Sequence, residues 1–334
     1  MRAIISRVPA AHFVAEAGSV IPASPNRDSC IYIAGHRGLA GSAIERRLKK
    51  LNYRNLVTRA RGELDLRDPG GVDAFFAEQK PEFVFLAAAR VGGIMANDLN
   101  RGDFIRDNLQ IQLNVIDAAR RFGARKLLFL GSTCIYPRDA PQPLKEEYVL
   151  TGPLEPTNSA YAVAKIAGLE MIDAYRAQFG FNGISIMPTN LYGPRDNFDL
   201  ETSHVLPALI RRFHDARAGD LPTVTIWGTG SPLREFMHCD DLADAAVWLM
   251  ENYDEAQILN VGTGDEISIL DLARLVAKII GFRGDIVTDP AKPDGTPRKL
   301  CDVSKLAGLG WKSKIGLEEG IASTYGWFVE NAAE

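Results

Sequence analysis

The stretch Ile31-Tyr32-Ile33-Ala34-Gly35-His36-Arg37-Gly38-Leu39-Ala40-Gly41 decides how the rest of the chain is read. Four apolar residues, a turn with three glycines, then a stripe of Ala43, Ile44, Leu48 and Leu51 at helical spacing describe a strand, a tight turn and a helix. Glycines there let the backbone turn sharply and let a diphosphate approach amide groups at the helix N-terminus, where the macrodipole favours negative charge. The spacing is G-x-x-G-x-x-G rather than G-x-G-x-x-G, and either pattern alone is weak. Gly35, His36, Arg37, Gly38, Leu39, Ala40 and Gly41 are the expected lining of a dinucleotide site.

Downstream the alternation continues. Strands are expected at Asn55-Thr58, Phe83-Ala88, Lys126-Gly131 and Gly183-Pro188, and helices at Val72-Gln79, Asp103-Phe122 and Tyr161-Phe179. Alternating strand and helix specifies an α/β fold, a Rossmann-like doubly wound parallel sheet. After Pro194 the regularity weakens into long loops, so a smaller mixed α/β C-terminal substrate domain is expected. The division is residues 1–29 as a loosely ordered extension, 30–190 as the dinucleotide-binding domain, and 191–334 as predominantly the substrate domain, with some segments returning to the first sheet. Ser268 ahead of Asp271 marks a helix start in that second half.

The second strand should settle the cofactor. An NAD site wants a carboxylate about 20 residues after the glycines, to bond the ribose 2′-hydroxyl. This chain has Thr58-Arg59-Ala60-Arg61, and guanidinium groups bind a 2′-phosphate in a bidentate fork. Arg59 and Arg61, with Arg37, therefore favour NADP(H). Glu63 and Asp65 follow closely and keep NAD open, Asp65 being expected to face the adenine.

Tyr161 and Lys165 lie four apart in Ala-rich helical sequence, on one face, where an ammonium is expected to stabilise the phenolate. Ser132 ends the apolar run Lys126 to Leu130, at the carboxyl edge where such sheets bind ligands, so Ser132 and Tyr161 can both bond one carbonyl oxygen. The chain has 334 residues, 46% hydrophobic and 24% charged, with a net charge of −4. This composition, with no basic stripe and no apolar run near the ~20 residues of a membrane span, argues against nucleic-acid and membrane roles. Cys30, Cys134, Cys239 and Cys301 are widely spaced with no CxxC pair, which suggests no metal site, no disulfide framework and a reducing, cytoplasmic compartment.

Several further motifs carry a resemblance: Leu86-Ala87-Ala88-Ala89-Arg90-Val91-Gly92-Gly93, Gly131-Ser132-Thr133-Cys134-Ile135-Tyr136-Pro137, Met187 to Pro194, and Lys292 to Lys299. With the glycine turn they closely resemble the extended short-chain dehydrogenase/reductase family, and within it the 3,5-epimerase-4-reductases of GDP-4-keto-6-deoxy-D-mannose. The resemblance runs from about Cys30 to the C-terminus. It implies inversion at C3 and C5 of the 4-keto sugar, then reduction at C4 by NADPH. Catalytic roles pass to Ser132, Cys134, Tyr161, Lys165 and His204, with Cys134 as base and His204 as acid. It also implies cofactor contacts at Leu130, Gly131, Lys165, Pro188, Thr189, Asn190, Leu191 and His204, substrate contacts at Arg212, Trp227, Arg234 and Asp294, and a homodimer. Trp227 could instead be packed at the end of a strand. The motif's His after Tyr-Gly-Pro is Arg195 here, a departure that leaves that loop's contacts open. Another sugar-nucleotide epimerase or reductase, or a non-catalytic NADP(H)-binding module, are the rival readings. A 4,6-dehydratase would place carboxylates where this chain has Thr133-Cys134.

Overall fold

The computed structural model describes residues 23–292 and 294–332, so the expected extension is described only from Ala23 onward, and Pro293 of the Lys292 to Lys299 motif lies outside the described residues. The first half alternates β1 (Ile31–Ala34), α1 (Leu39–Lys50), β2 (Leu56–Val57), α2 (Pro69–Gln79), β3 (Phe83–Leu86), α3 (Ile94–Leu99), α4 (Arg101–Arg121), β4 (Lys126–Leu130), α5 (Ser159–Phe179) and β5 (Gly183–Pro188). Then follow β6 (Asn190–Tyr192), α6 (Val205–Ala218), β7 (Thr223–Trp227), β8 (Leu233–Arg234), β9 (Phe236–His238), α7 (Cys239–Asn252) and β10 (Leu259–Val261). The chain ends with β11 (Ile267–Ser268), α8 (Ile269–Ile280), β12 (Asp285–Asp289), β13 (Arg298–Lys299), α9 (Ser304–Gly308) and α10 (Leu317–Asn331).

The main sheet is parallel, in the order β10-β5-β4-β3-β1-β2. Its strands read as continuous apolar runs because both faces are covered. Ile31, Ile33, Phe83, Phe85, Leu128 and Leu130 point into a core shared with α1 and α7, while Tyr32, Ala34, Val84, Leu86, Leu127 and Phe129 point into one shared with α2, α4 and α5. The strand order reverses between β1 and β3, which leaves a crevice beyond the carboxyl ends of those strands. Three segments from beyond residue 190 belong to this layer: α7 packs on α1, β10 pairs with β5, and α9 packs on β10 with Leu306 in the same core.

A third core, around Phe213, Ile226, Leu272, Val276, Ile321 and Phe328, holds the remaining elements together. There β7 pairs with β12, and β8 lies between β11 and β13. Helix α8 starts as its sequence requires: Ser268 Oγ accepts from the amide of Asp271 at 3.0 Å.

The extension needs correcting at its inner end. Residues 23–29 are packed on the main layer rather than loose: Ala23 is buried, Arg27 lies 4.3 Å from the centre of the Tyr53 ring and 3.5 Å from Glu251, and the Arg27 carbonyl accepts from the amide of Arg54. The cation over an aromatic face and the ion pair fix a segment whose own sequence is featureless.

Candidate active site

At the crevice the backbone is dictated by sterics. Gly35 has φ of 88°, and a Cβ there would come within 2.8 Å of Ala88 backbone atoms. A Cβ on Gly41 would come within 2.2 Å of the Gly35 carbonyl oxygen, so the turn and the first turn of α1 touch backbone to backbone. Gly38 is different. It caps α1 with no side-chain acceptor and its Cβ position is nearly open, so no side chain competes for the helix amides. His36 Nδ1, in the same turn, is buried with no hydrogen-bond partner among the described residues. An uncapped helix start, a glycine cradle and an orphaned ring nitrogen fit a dinucleotide diphosphate.

The carboxylates near the second strand are committed elsewhere. Glu63 accepts from the Ala60 amide at 2.6 Å, and Asp65 is gripped by Arg67 at 2.6 Å, which pulls its pKa down to about 2. Arg37 and Arg61 are exposed, and Arg59 lies 5.5 Å from the Phe75 ring centre; none of the three forms an ion pair among the described residues. That leaves guanidinium groups, not carboxylates, free to meet a phosphate there.

Beyond β4, Ser132 is extended and its hydroxyl accepts from the Cys134 amide at 3.2 Å, which opens the short turn Thr133–Ile135. Tyr161 enters on the first turn of α5 and hydrogen-bonds to Ser132. Lys165 is turned to a different partner than expected. Its Nζ donates to the Leu130 carbonyl at 2.6 Å and lies 5.8 Å from the Tyr161 ring centre, so its charge is spent on backbone rather than on the phenol oxygen. Burial pushes Tyr161 well above its ordinary value despite the Ser132 bond, and burial brings Lys165 down to about 7. The phenol is thus held protonated and the amine is easily neutralised.

Cys134 lies beside this pair. Asn158 Nδ2 donates to its sulfur at 3.4 Å and Lys299 Nζ at 3.7 Å. His204 caps α6, and although its ring keeps solvent-accessible surface, the surrounding protein and the charge of Lys299 push its pKa down. Lys299 therefore touches one of the expected acid/base residues and lowers the pKa of the other. It is also in register with Arg234 across β13 and β8. Arg212 stacks over Trp227 at 5.4 Å, and that indole is 46% exposed, which removes the packed alternative. Asp294 accepts from the Thr229 amide at 2.7 Å and attracts Arg234. Thr189, between β5 and β6, and Asn190, the first residue of β6, both donate to the Glu235 carbonyl.

A model of the NAD dependent epimerase/dehydratase family matches residues 31–262, from the glycine cradle through the tyrosine helix to β10. The chain belongs to that family. Relatives share nearly its whole length. It is 57% identical over 321 residues to the probable GDP-L-fucose synthase 1 of Oryza sativa subsp. japonica, covering 94% of this chain and 98% of the relative. It is 51% identical over 310 residues to the GDP-L-fucose synthase of Escherichia coli strain K12, covering 90% and 97%. Among solved structures, the GDP-mannoheptose C4 reductase of Campylobacter jejuni with NADP bound superposes with a TM-score of 0.84 at 41% identity, over 92% of this chain and all of that one.

Three groups of this epimerase/dehydratase-family site escaped the sequence reading. Asn158 stands three residues before Tyr161 in Glu155-Pro156-Thr157-Asn158, and Lys299 ends the Lys292 to Lys299 motif; both were visible as sequence, but not their shared contact. Glu235 is fully buried, taking the Thr263 and Gly264 amides on one oxygen and the Cys301 amide on the other. The cysteine spacing also missed a grouping of His238, Cys239 and Asp240. Arg46 already supplies its cation, at 3.6 Å from the Cys239 sulfur and 2.6 Å from Asp240.

Proposed function

We propose that this protein converts GDP-4-keto-6-deoxy-D-mannose to GDP-L-fucose, inverting C3 and C5 and then reducing the C4 ketone with NADPH. The reading is carried by the identity of 57% and 51%, over nearly full length, to GDP-L-fucose synthases of a plant and a bacterium. The geometry supports it: a thiol with two hydrogen-bond donors stands beside the Ser132–Tyr161 pair. In this reading residues 30–190 mainly hold the cofactor and residues 191–334 mainly the sugar nucleotide.

C3 and C5 both lie α to the C4 carbonyl, so losing either proton leaves an enolate whose charge rests on the oxygen. Ser132 and Tyr161 donate hydrogen bonds to that oxygen. The Cys134 thiolate takes the proton from carbon, and protonated His204 delivers one to the opposite face, each inversion transferring one proton in and one out. The depressed pKa of His204 makes its imidazolium the stronger acid. The Gly35 to Gly41 cradle, Arg37, Arg59 and Arg61, residues 130–131, Lys165 and residues 188–191 would hold NADP(H), which when bound would supply the hydride for C4. Tyr161, kept protonated by burial, gives the alkoxide its proton. Arg212, Arg234 and Lys292 offer positive charge to the diphosphate, and exposed Trp227 a flat face to base or sugar.

A plain C4 reductase is the second reading, favoured by the Campylobacter jejuni structure. Incubation with the 4-keto sugar and NADPH in heavy water separates them. Deuterium at C3 and C5 of the product supports the first; reduction without label overturns it and makes Cys134 a bystander.

Helices α4 and α5 pack on one another and leave Leu113 and Val163 exposed, a face suited to a homodimer built from a helix pair of each subunit. Light scattering at working concentration tests this, a monomer rejecting it. No described helix is long and apolar enough to cross a membrane, and the four free cysteines suit a cytoplasmic protein.

A further inference from the structure

We propose that Lys299 is the charge partner of Cys134, holding its sulfur as the thiolate that receives substrate protons, from a strand clamped at both following residues. The inference rests on the proposed function for its catalytic meaning, and on the contact itself for its chemistry. The Lys299 ammonium is 3.7 Å from the sulfur, and Asn158 adds a neutral donor at 3.4 Å from the opposite element. A cation and an amide at this range stabilise negative charge where the S–H proton departs.

The other charged groups around the thiol are otherwise engaged. Arg138 is 3.6 Å from Glu155, so that pair on the pocket wall is neutralised internally. Arg298, on the pocket wall, makes a forked pair with Glu266 at 2.7 and 2.8 Å, so its charge is neutralised there. Tyr136 is bonded to Asn260 at 2.6 Å. From α5, Tyr161 stays a neutral phenol and Lys165 donates to Leu130, its pKa falling to about 7. His204, ahead of α6, has its pKa lowered first by burial and then by the charge of Lys299, so it is a weaker standing cation than the lysine. Lys299 forms no ion pair among the described residues, and so remains the standing cation at the thiol.

Its position is fixed by backbone. The amide of Leu300 donates to Gln142 Oε1 at 2.9 Å, and the amide of Cys301 donates to the buried Glu235 carboxylate at 2.9 Å. Glu235 thus ties the strand carrying Lys299 to the end of the main sheet at residues 263 and 264. The proton lost from sulfur passes to water, the thiolate then takes one from carbon, and Lys299 keeps its charge throughout; it is a positioning residue acting through Cys134.

The test begins without substrate. The free full-length protein is alkylated with iodoacetamide across a pH series, and modification at each cysteine is read by peptide mass spectrometry. Lys299→Met should slow alkylation of Cys134 about tenfold at neutral pH and move its pH midpoint upward by about one unit, while Lys299→Arg restores most of the rate. Lys299→Gln, closer in polarity, serves should the methionine variant not fold. Cys30, at the amino end of β1 and therefore at the opposite edge of the sheet from the crevice, is the internal control and should not change. A Cys134 profile that Lys299→Met and Lys299→Gln leave unchanged overturns the inference. With substrate in heavy water, label entry at C3 and C5 should fall by a similar factor in the methionine variant. Absence of label in the parent protein would sink the proposed function while the alkylation result still stood.

Discussion

The dinucleotide cradle and the thiol pocket are built on opposite principles. The cradle is one contiguous run, residues 31–41, and its shape comes from backbone meeting backbone at Gly35, Gly41 and Ala88. The thiol pocket gathers side chains from residues 132–134, 155–161, 204 and 294–301, which meet because β13 lies beside β8, Glu235 ties both to the main sheet and Gln142 holds the Leu300 amide. The difference teaches where each is vulnerable. A cradle fails when volume is added to it, a gathered pocket when a single tie or charge is removed.

The sharpest test of that contrast lies at the junction of the two regions. Tyr161→Phe should lower turnover about 1,000-fold, within the range for losing a general acid, while leaving NADPH binding within about twofold. Stopped-flow absorbance and fluorescence titration measure the two. Unimpaired turnover would mean the phenol is not the proton donor.

Within the cradle, Gly41→Ala should cost about 3 kcal/mol, because its methyl meets a carbonyl oxygen that cannot move without moving the turn. Gly38→Ala, with its open Cβ position, should cost under about 1 kcal/mol. Equal denaturation midpoints for the two would break the claim that backbone contact shapes this turn.

In the gathered region, Glu235→Gln should destabilise by about 2 kcal/mol. An amide oxygen can still serve Thr263 and Gly264, but its NH2 then faces the Cys301 amide, donor against donor. Urea denaturation reads the loss. A variant as stable as the parent would show that the tie is not what holds the strand.

The smallest expected effect concerns Asp196, in the loop after β6. Its Oδ2 is buried with no hydrogen-bond partner among the described residues, and burial raises its pKa to about 7. The folded state therefore holds this proton more tightly than the unfolded chain. Its contribution is fully present below the ordinary carboxyl range and is lost as pH rises through about 7. Asp196→Asn should be indistinguishable from the parent at acid pH and more stable by about 1 kcal/mol above neutral pH, seen as diverging melting temperatures. Parallel curves across pH would remove Asp196 as their cause.

Much of the fold was legible because its signals are local. The runs at Ile31, Phe83, Lys126 and Gly183 alternate their side chains between two covered faces, so each reads as apolar throughout, and each became a strand within one or two residues. Ser268 opened its helix for the same reason: a cap needs only its next three residues. Lys165 was misjudged because a spacing of four sets which face a side chain takes, not which acceptor it finds. The Leu130 carbonyl lies 35 positions away. Residues 23–29 looked loose because their anchors, Tyr53 and Glu251, are far along the chain.

By itself the sequence determined the parallel sheet, the glycine cradle and the motif carriers Ser132, Cys134, Tyr161 and His204, since each depends on residues adjacent in the chain or on a motif that travels as a unit. Only the tertiary structure decided which charges remain available. It committed Asp65 to Arg67 and Lys165 to the backbone, left Trp227 at the surface, and brought Lys299 to a sulfur 165 residues away. Electrostatic effect depends on distance and burial, and neither is written in the order of the residues.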